Sequence, residues 1–109
     1  MVTESPIAVR RLKGTWPDGS AHDVVIEIGK PYPSGSSFRC PIRVSGLYPE
    51  YSPPDMAGVD GIQALTQSLK MVRFLFEQHL EQGGRLFYPD DNTPYTPDDL
   101  PESHGDEPA

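Results

Sequence analysis

The chain has 109 residues and a formal net charge of −7, and all of that charge sits at its end: residues 90–109 carry Asp90, Asp91, Asp98, Asp99, Glu102, Asp106 and Glu107 and no Lys or Arg. Residues 1–89 balance at nine acids and nine bases, so a neutral body bears an acidic, proline-punctuated tail, an arrangement that disfavours nucleic-acid binding by bulk electrostatics unless the bases are strongly clustered. A single Cys, Cys40, excludes an intrachain disulfide, and no segment approaches the ~20 apolar residues of a membrane span or the uninterrupted apolar run of a signal peptide.

Residues 7–13 read as a first strand, followed by the turn Trp16-Pro17-Asp18-Gly19, where Pro presets φ and Gly accepts φ > 0. Residues 23–28 place Val24, Ile26 and Ile28 on one face and Val25 and Glu27 on the other, the alternation of a half-buried strand. Residues 30–37 are a Pro/Gly/Ser loop whose last four residues, Ser-Gly-Ser-Ser, read as a hairpin turn; they lack the Lys and the strand–loop–helix context of a phosphate-binding loop. Phe38, Cys40, Ile42 and Val44 then alternate with Arg39, Pro41 and Arg43 in one antiparallel strand. Pro41 cannot donate to a ladder, which predicts a sheet edge or a bulge there.

Residues 46–58 are irregular, with three prolines and two tyrosines. Asp60 then predicts a helix N-cap, Gln63 completes a capping box, and Val59 and Ala64 are spaced for a hydrophobic staple. The helix is expected over residues 61–82, stopped by Gly83-Gly84, with Ile62, Leu65, Leu69, Val72, Phe76 and Leu80 as its core-facing stripe. Residues 85–88 give a short last strand, ended by Pro89. The expected class is α+β: a three-stranded antiparallel meander packed on one long C-terminal helix, a short final strand and a disordered acidic tail. Residues 1–89 form the single domain and residues 90–109 the tail. A 22-residue helix is about 33 Å long against roughly 23 Å for a seven-residue strand, so part of it overhangs the sheet and needs a cover.

Phe74 falls far from the stripe, among Gln63, Gln67, Lys70, Gln78 and Glu81, and a monomer core explains it least. Either the last strand or the tail folds over it, or Phe74, Met71 and Gln78 form a partner or homodimer surface. The 47–55 loop, with Tyr48 and Tyr51, has the length and composition of an interaction loop, with packing over a sheet edge as the alternative. Cys40 on the apolar face of its strand reads as a small buried hydrophobe rather than a nucleophile paired with His79 or His22. His79, in the last helical turn, reads as a capping cation at the negative end of the helix dipole. His22, His79 and His104 show no metal-ligand spacing, so neither a metal nor a cofactor is expected. Arg39 and Arg43 share the outward face of their strand, with Arg10, Arg11 and Lys13 nearby. That set is a solvated face, a dock for the protein's own tail, or a site for an anion. The tail itself is a solubilising extension or a mimic of nucleic-acid phosphates for a basic partner.

At residues 58–65, Gly-Val-Asp-Gly-Ile-Gln-Ala-Leu, the chain resembles small bacterial proteins grouped only as a domain of unknown function, in which a G-x-D-x-x-Q-A-L segment opens a long helix after a strand meander. The resemblance covers residues 24–88 and implies a compact α+β domain in a bacterial cytoplasm. It carries over no activity and no catalytic residue. With Gly58 making the turn, Asp60 the cap and Gln63 reaching back, the segment marks a fold rather than a site. The expected function is non-enzymatic: a soluble, cytoplasmic protein-interaction module, for example of immunity or antitoxin type, with a protein partner or a second copy of itself and no nucleic acid or membrane. The alternative is a small-molecule or anion-binding domain, catalytic or not, using a cleft between the 47–55 loop and the helix start, with Arg39, Arg43 or Cys40 lining it.

Overall fold

Where apolar and polar residues alternate in the first half of the chain, the computed structural model, which describes residues 6–97, forms strands. In chain order the elements are β1 (Ala8–Thr15), β2 (Ala21–Ile28), β3 (Tyr32–Ser34), β4 (Ser37–Cys40), β5 (Ile42–Ser45), β6 (Met56–Gly58), α1 (Gly61–Glu81) and β7 (Arg85–Phe87). They make an α+β fold of one helix and two antiparallel sheets, ordered β5-β2-β1-β7 and β3-β4-β6. β1 and β2 form a hairpin in which Leu12 lies opposite Val24 and Arg10 opposite Ile26, closed by the Trp16–Gly19 turn, whose Gly19 N–H donates to the Trp16 carbonyl at 2.8 Å. Ser34 lies opposite Ser37, so the short hairpin read in the Ser-Gly-Ser-Ser stretch is present.

The single strand expected at residues 38–44 is two strands. β4 ends at Cys40, β5 begins at Ile42, and Pro41 is the corner where the chain leaves the small sheet for the large one. Proline suits this corner because it has no N–H to leave unpaired, while its carbonyl still accepts from Gly29 N at 2.9 Å. The three-stranded meander therefore becomes β1, β2 and β5, widened by β7 beside β1 and joined to a second sheet. The helix is internal to the fold rather than C-terminal, since β7 and a further packed segment come after it.

Asp60 caps α1 as expected, its Oδ1 accepting from Gln63 N at 2.8 Å. Gln63 reaches back one residue beyond the usual capping box, to the Val59 N–H at 2.6 Å, and Val59 is 74% exposed, so the staple does not form. At the other end Gly84 N donates to the His79 carbonyl and Gly83 N to that of Leu80, a Schellman motif with Gly83 at φ 102.

The stripe differs from the expected one at its start. Ile62 is 78% exposed, and the buried line runs through Ala64, Ser68, Val72, Leu75, Phe76 and His79. Gly58 supplies the reason: a Cβ there would lie 2.4 Å from Ala64 N, so β6 and the first turn of the helix touch backbone to backbone. This approach turns the smallest side chain inward and Ile62 outward. The G-x-D-x-x-Q-A-L segment is thus a close-packing motif at Gly58 and Ala64, and Gly58 serves contact rather than a turn.

The two halves of α1 cover different sheets. Ala64, with Leu65 and Leu69 partly buried, packs against Ile28, Cys40 and Phe38, where the small sheet joins the large one. Val72, Leu75 and Phe76 pack against Leu12, Val24, Ile26, Ile42 and Leu86 of the large sheet. The overhang expected from helix length is what the small sheet covers. Each fully buried large apolar side chain contributes about 1.5–3 kcal/mol, so the second, larger cluster holds most of the stabilisation.

The boundary expected at Pro89 lies inside the folded body. Beyond it the chain turns at Asn92 (φ 58), Pro94 bridges Phe87, and Tyr95 N donates to the Leu86 carbonyl at 2.9 Å. Tyr95 is 1% exposed and packs edge-on to Phe76 and Tyr88, at 5.4 and 5.2 Å between ring centroids. Residues 98–109, which hold most of the acidic tail and His104, lie outside the described residues.

Candidate functional site

The irregular segment between β5 and β6 is pinned at several points. Leu47 and Pro53 are buried, Trp16 Nε1 donates to the Gly46 carbonyl at 2.9 Å, and Tyr32 Oη donates to Asp55 Oδ2 at 2.5 Å, which raises the Tyr32 pKa. The Trp16 ring stacks on His22 at 4.1 Å and lies 5.4 Å from the Tyr48 ring. The central pin is His79. Expected as an exposed capping cation, it is fully buried, with Nδ1 accepting from Tyr48 N at 2.9 Å and Nε2 3.1 Å from the Arg85 carbonyl. A carbonyl needs a donor and a backbone N–H needs an acceptor, so both contacts are met by one neutral tautomer, with the proton on Nε2. Burial lowers its pKa, against the opposing pull of the Arg85 carbonyl. Gly84 makes room for the ring: a Cβ there would fall 2.4 Å from Nε2. His79 thus rivets the loop to β7 through the helix that carries it.

Between this loop and the middle of α1 lies a cavity of about 340 Å³, lined by Val44, Ser45, Leu47, Glu50, Tyr51 and Leu75 among others. Tyr51 on the loop wall is 51% exposed, and Phe74, next to Leu75 on the helix, is 52% exposed. Met71 and Gln78, one turn before and one turn after, complete the same helical flank and are half-buried. The interface residues named from sequence therefore divide. Tyr51 lines the recess, Met71, Phe74 and Gln78 lie within a turn of its helical wall Leu75 without lining it, and Tyr48 turns its ring into the Trp16 cluster and its N–H to His79.

Arg39, Arg43 and Cys40 do not line that cavity, and it faces the middle of the helix, not its start. Pro41 separates the two arginines into different sheets, Arg39 opposite Tyr32 and Ala57, Arg43 opposite Glu27. On the outer face of the large sheet Arg11, Arg43 and Lys13 alternate with Glu27 and Asp23. Lys13 Nζ bonds Asp23 Oδ1 at 2.7 Å and holds that carboxyl below its ordinary range. The face is mixed in charge rather than a basic patch. Cys40 is fully buried beside Ile28 and Ala64, its Sγ 3.5 Å from the Gly29 carbonyl, and burial pushes the thiol pKa up. His79 stands 15 residues along the helix from Ala64, about 22 Å at 1.5 Å per residue, so the two cannot pair. Among the described residues no group of three His, Cys, Asp or Glu is placed to hold a metal ion, and no helix is long and apolar enough to cross a membrane.

Two residues that organise this region escape the hydropathy pattern: His79, a polar residue in the core, and Tyr95, which lies beyond a proline in an acidic stretch. The only prior signal for the first was its place at i+4 from Leu75 on the buried side of the helix. No curated protein and no solved structure matches the chain. A family model described as "Domain of unknown function (DUF6968)" matches residues 8–96, from the start of β1 to the residue after the buried Tyr95, and the chain belongs to that family.

Proposed function

We propose that this protein is a non-enzymatic protein-interaction module whose contact surface is the 47–52 loop and the Met71, Phe74 and Gln78 flank of α1. The observation that carries the reading is a recess walled by Tyr51 and Leu75, with half-exposed aromatics at Tyr51 and at Phe74, the residue before Leu75, and a loop already fixed by His79 and Trp16. Aromatic side chains held on a rigid frame lose little entropy on binding, which is what an interface anchor requires. The acidic run of residues 90–109 and the half-exposed Tyr51 and Phe74 suit a protein that covers a partner's surface, of immunity or antitoxin type. The test is capture of interacting proteins by the full-length chain, beside Phe74→Asp and Tyr51→Ala. Because both side chains are half in water, each variant keeps its folding free energy within about 1 kcal/mol. Loss of a stoichiometric partner in both variants supports the surface, and a partner retained by both removes it.

A second reading rests on the cavity itself. At about 340 Å³ it is at the small end of ligand sites, and Glu50 is its one charged lining side chain, so a small cationic or polar molecule fits its chemistry better than an anion. A thermal-shift screen of small amines against carboxylates and phosphates decides this: stabilisation by amines that Glu50→Gln abolishes is the supporting result.

A further inference from the structure

On the other flank of α1, about 90° round the helix from Leu75, an apolar groove of about 160 Å³ opens against the start of β1, lined by Ala8, Ile26, Ile28, Leu69, Val72 and Phe76. β7 pairs only with Lys13, Gly14 and Thr15, so among the described residues no strand lies beside residues 8–12 on that side. The groove therefore opens at a free sheet edge, and a segment laid along that edge would point every second side chain toward the helix. Ile7 and Val9 at the same edge are 54% and 44% exposed.

The chain itself arrives at this place. The Pro97 carbonyl accepts from Arg73 Nη1 at 3.0 Å, and Arg73 lies between Leu69 and Phe76 on the helix surface. The Arg10 guanidinium sits 5.3 Å from the centre of the Tyr95 ring, two residues before Pro97. The sequence then continues as Asp98-Asp99-Leu100-Pro101-Glu102, in which Leu100 is the one large apolar side chain of residues 98–109 and has carboxylates on both sides. Leu100 reaches up to about 10 Å from Pro97, and Arg73 is about 6 Å from Leu69, so the groove is within range. A second copy of the strand suits the edge less well, because antiparallel pairing about Arg10 sets that arginine directly against its own copy.

We propose that residues 98–102 of the same chain lie along residues 8–12, with Leu100 seated in the groove and its flanking carboxylates turned toward Arg10 and Arg11. The tail then closes an edge that would otherwise template association. Hydrogen exchange on the full-length chain tests this, with sedimentation at the same concentrations. Successive N–H groups of a strand point to opposite sides, so the amides of residues 100 and 102, or that of residue 99 in the other register, exchange at least ~10-fold more slowly than those of residues 104–107. Leu100→Asp, and separately Ala8→Phe, which fills the groove from its wall, each bring them to the rate of residues 104–107 and speed exchange at residues 8–12. Residues 99–102 exchanging as fast as 104–107 in the unsubstituted protein overturns the proposal. So does protection that appears only as dimer forms, because the occupant is then another chain.

Discussion

Replacing His79 by Ala removes the side-chain partners of two backbone groups at once, the Tyr48 N–H donating to Nδ1 at 2.9 Å and the Arg85 carbonyl facing Nε2 at 3.1 Å. A fully buried backbone group left without a partner costs about 1–3 kcal/mol; both groups here are part-buried, so about 2–6 kcal/mol is the ceiling for the pair before the space vacated by the ring is considered. That is a large share of the ~5–15 kcal/mol that holds a typical domain together. Acid acts on the same contact. Burial holds the His79 pKa below its ordinary 6.5, so in the interval beneath 6.5 the unfolded chain binds a proton that the folded chain does not. Stability from this group is complete above about pH 6.5 and falls as pH drops through the interval, by at most about 1.4 kcal/mol per pH unit. The assay is urea unfolding monitored by the fluorescence of Trp16, the single tryptophan, between about pH 8 and about pH 5. His79→Ala is expected to lose stability at the alkaline end, and His79→Gln, with one amide donor and one acceptor, to recover part of it without the acid slope. His22→Gln serves as the control. Wild-type stability that stays level across the range, or a full slope retained by His79→Gln, refutes the reasoning.

Gly58→Ala places a Cβ 2.4 Å from Ala64 N, which forces β6 from the helix; the expected loss is about 1–3 kcal/mol or more in the same unfolding assay, and a loss under about 0.5 kcal/mol contradicts the close contact. Tyr95→Ala empties a site packed by Phe76 and Tyr88, so a loss of about 3–5 kcal/mol is expected, whereas a residue in a detached tail would show none. Cys40, buried and with its thiol pKa raised, is expected to react with a thiol reagent only at the rate of unfolding; fast reaction of the native protein contradicts that placement.

The elements legible in the sequence were those whose signals are local. The alternation of Val24, Ile26 and Ile28 gave β2, Asp60 and Gly83 bounded α1 to within a residue, and the Ser34–Ser37 hairpin was evident from its composition. The features that escaped depend on contacts between distant segments. Pro41 signalled an interruption, but only the second sheet makes it a corner. Ile62 fitted the helical period and is still exposed, because the backbone contact between Gly58 and Ala64 sets the rotation of the first turn. His79 and Ser68 are buried through hydrogen bonds, which hydropathy does not register. Tyr95 sits in a stretch whose acidity argued for solvent, and it returns to the core by way of a turn at Asn92. At the candidate site, Phe74 stood out because it broke the helical pattern, while the cavity beside it, formed by a loop folding back from β5, left no mark in periodicity.

Both sheets are mounted on α1. Ala64 and Ser68 are buried in its first half, where it meets the small sheet, and Val72 and Phe76 in its second, where it meets the large one. The Gly58 contact and His79 thus stand at opposite ends of one helix, some two dozen ångströms apart, about the length of the 15 residues from Ala64 to His79. A substitution that turned the helix at its small-sheet end would therefore carry Leu75, the helical wall of the recess, with it, although no residue of the small sheet lines that recess.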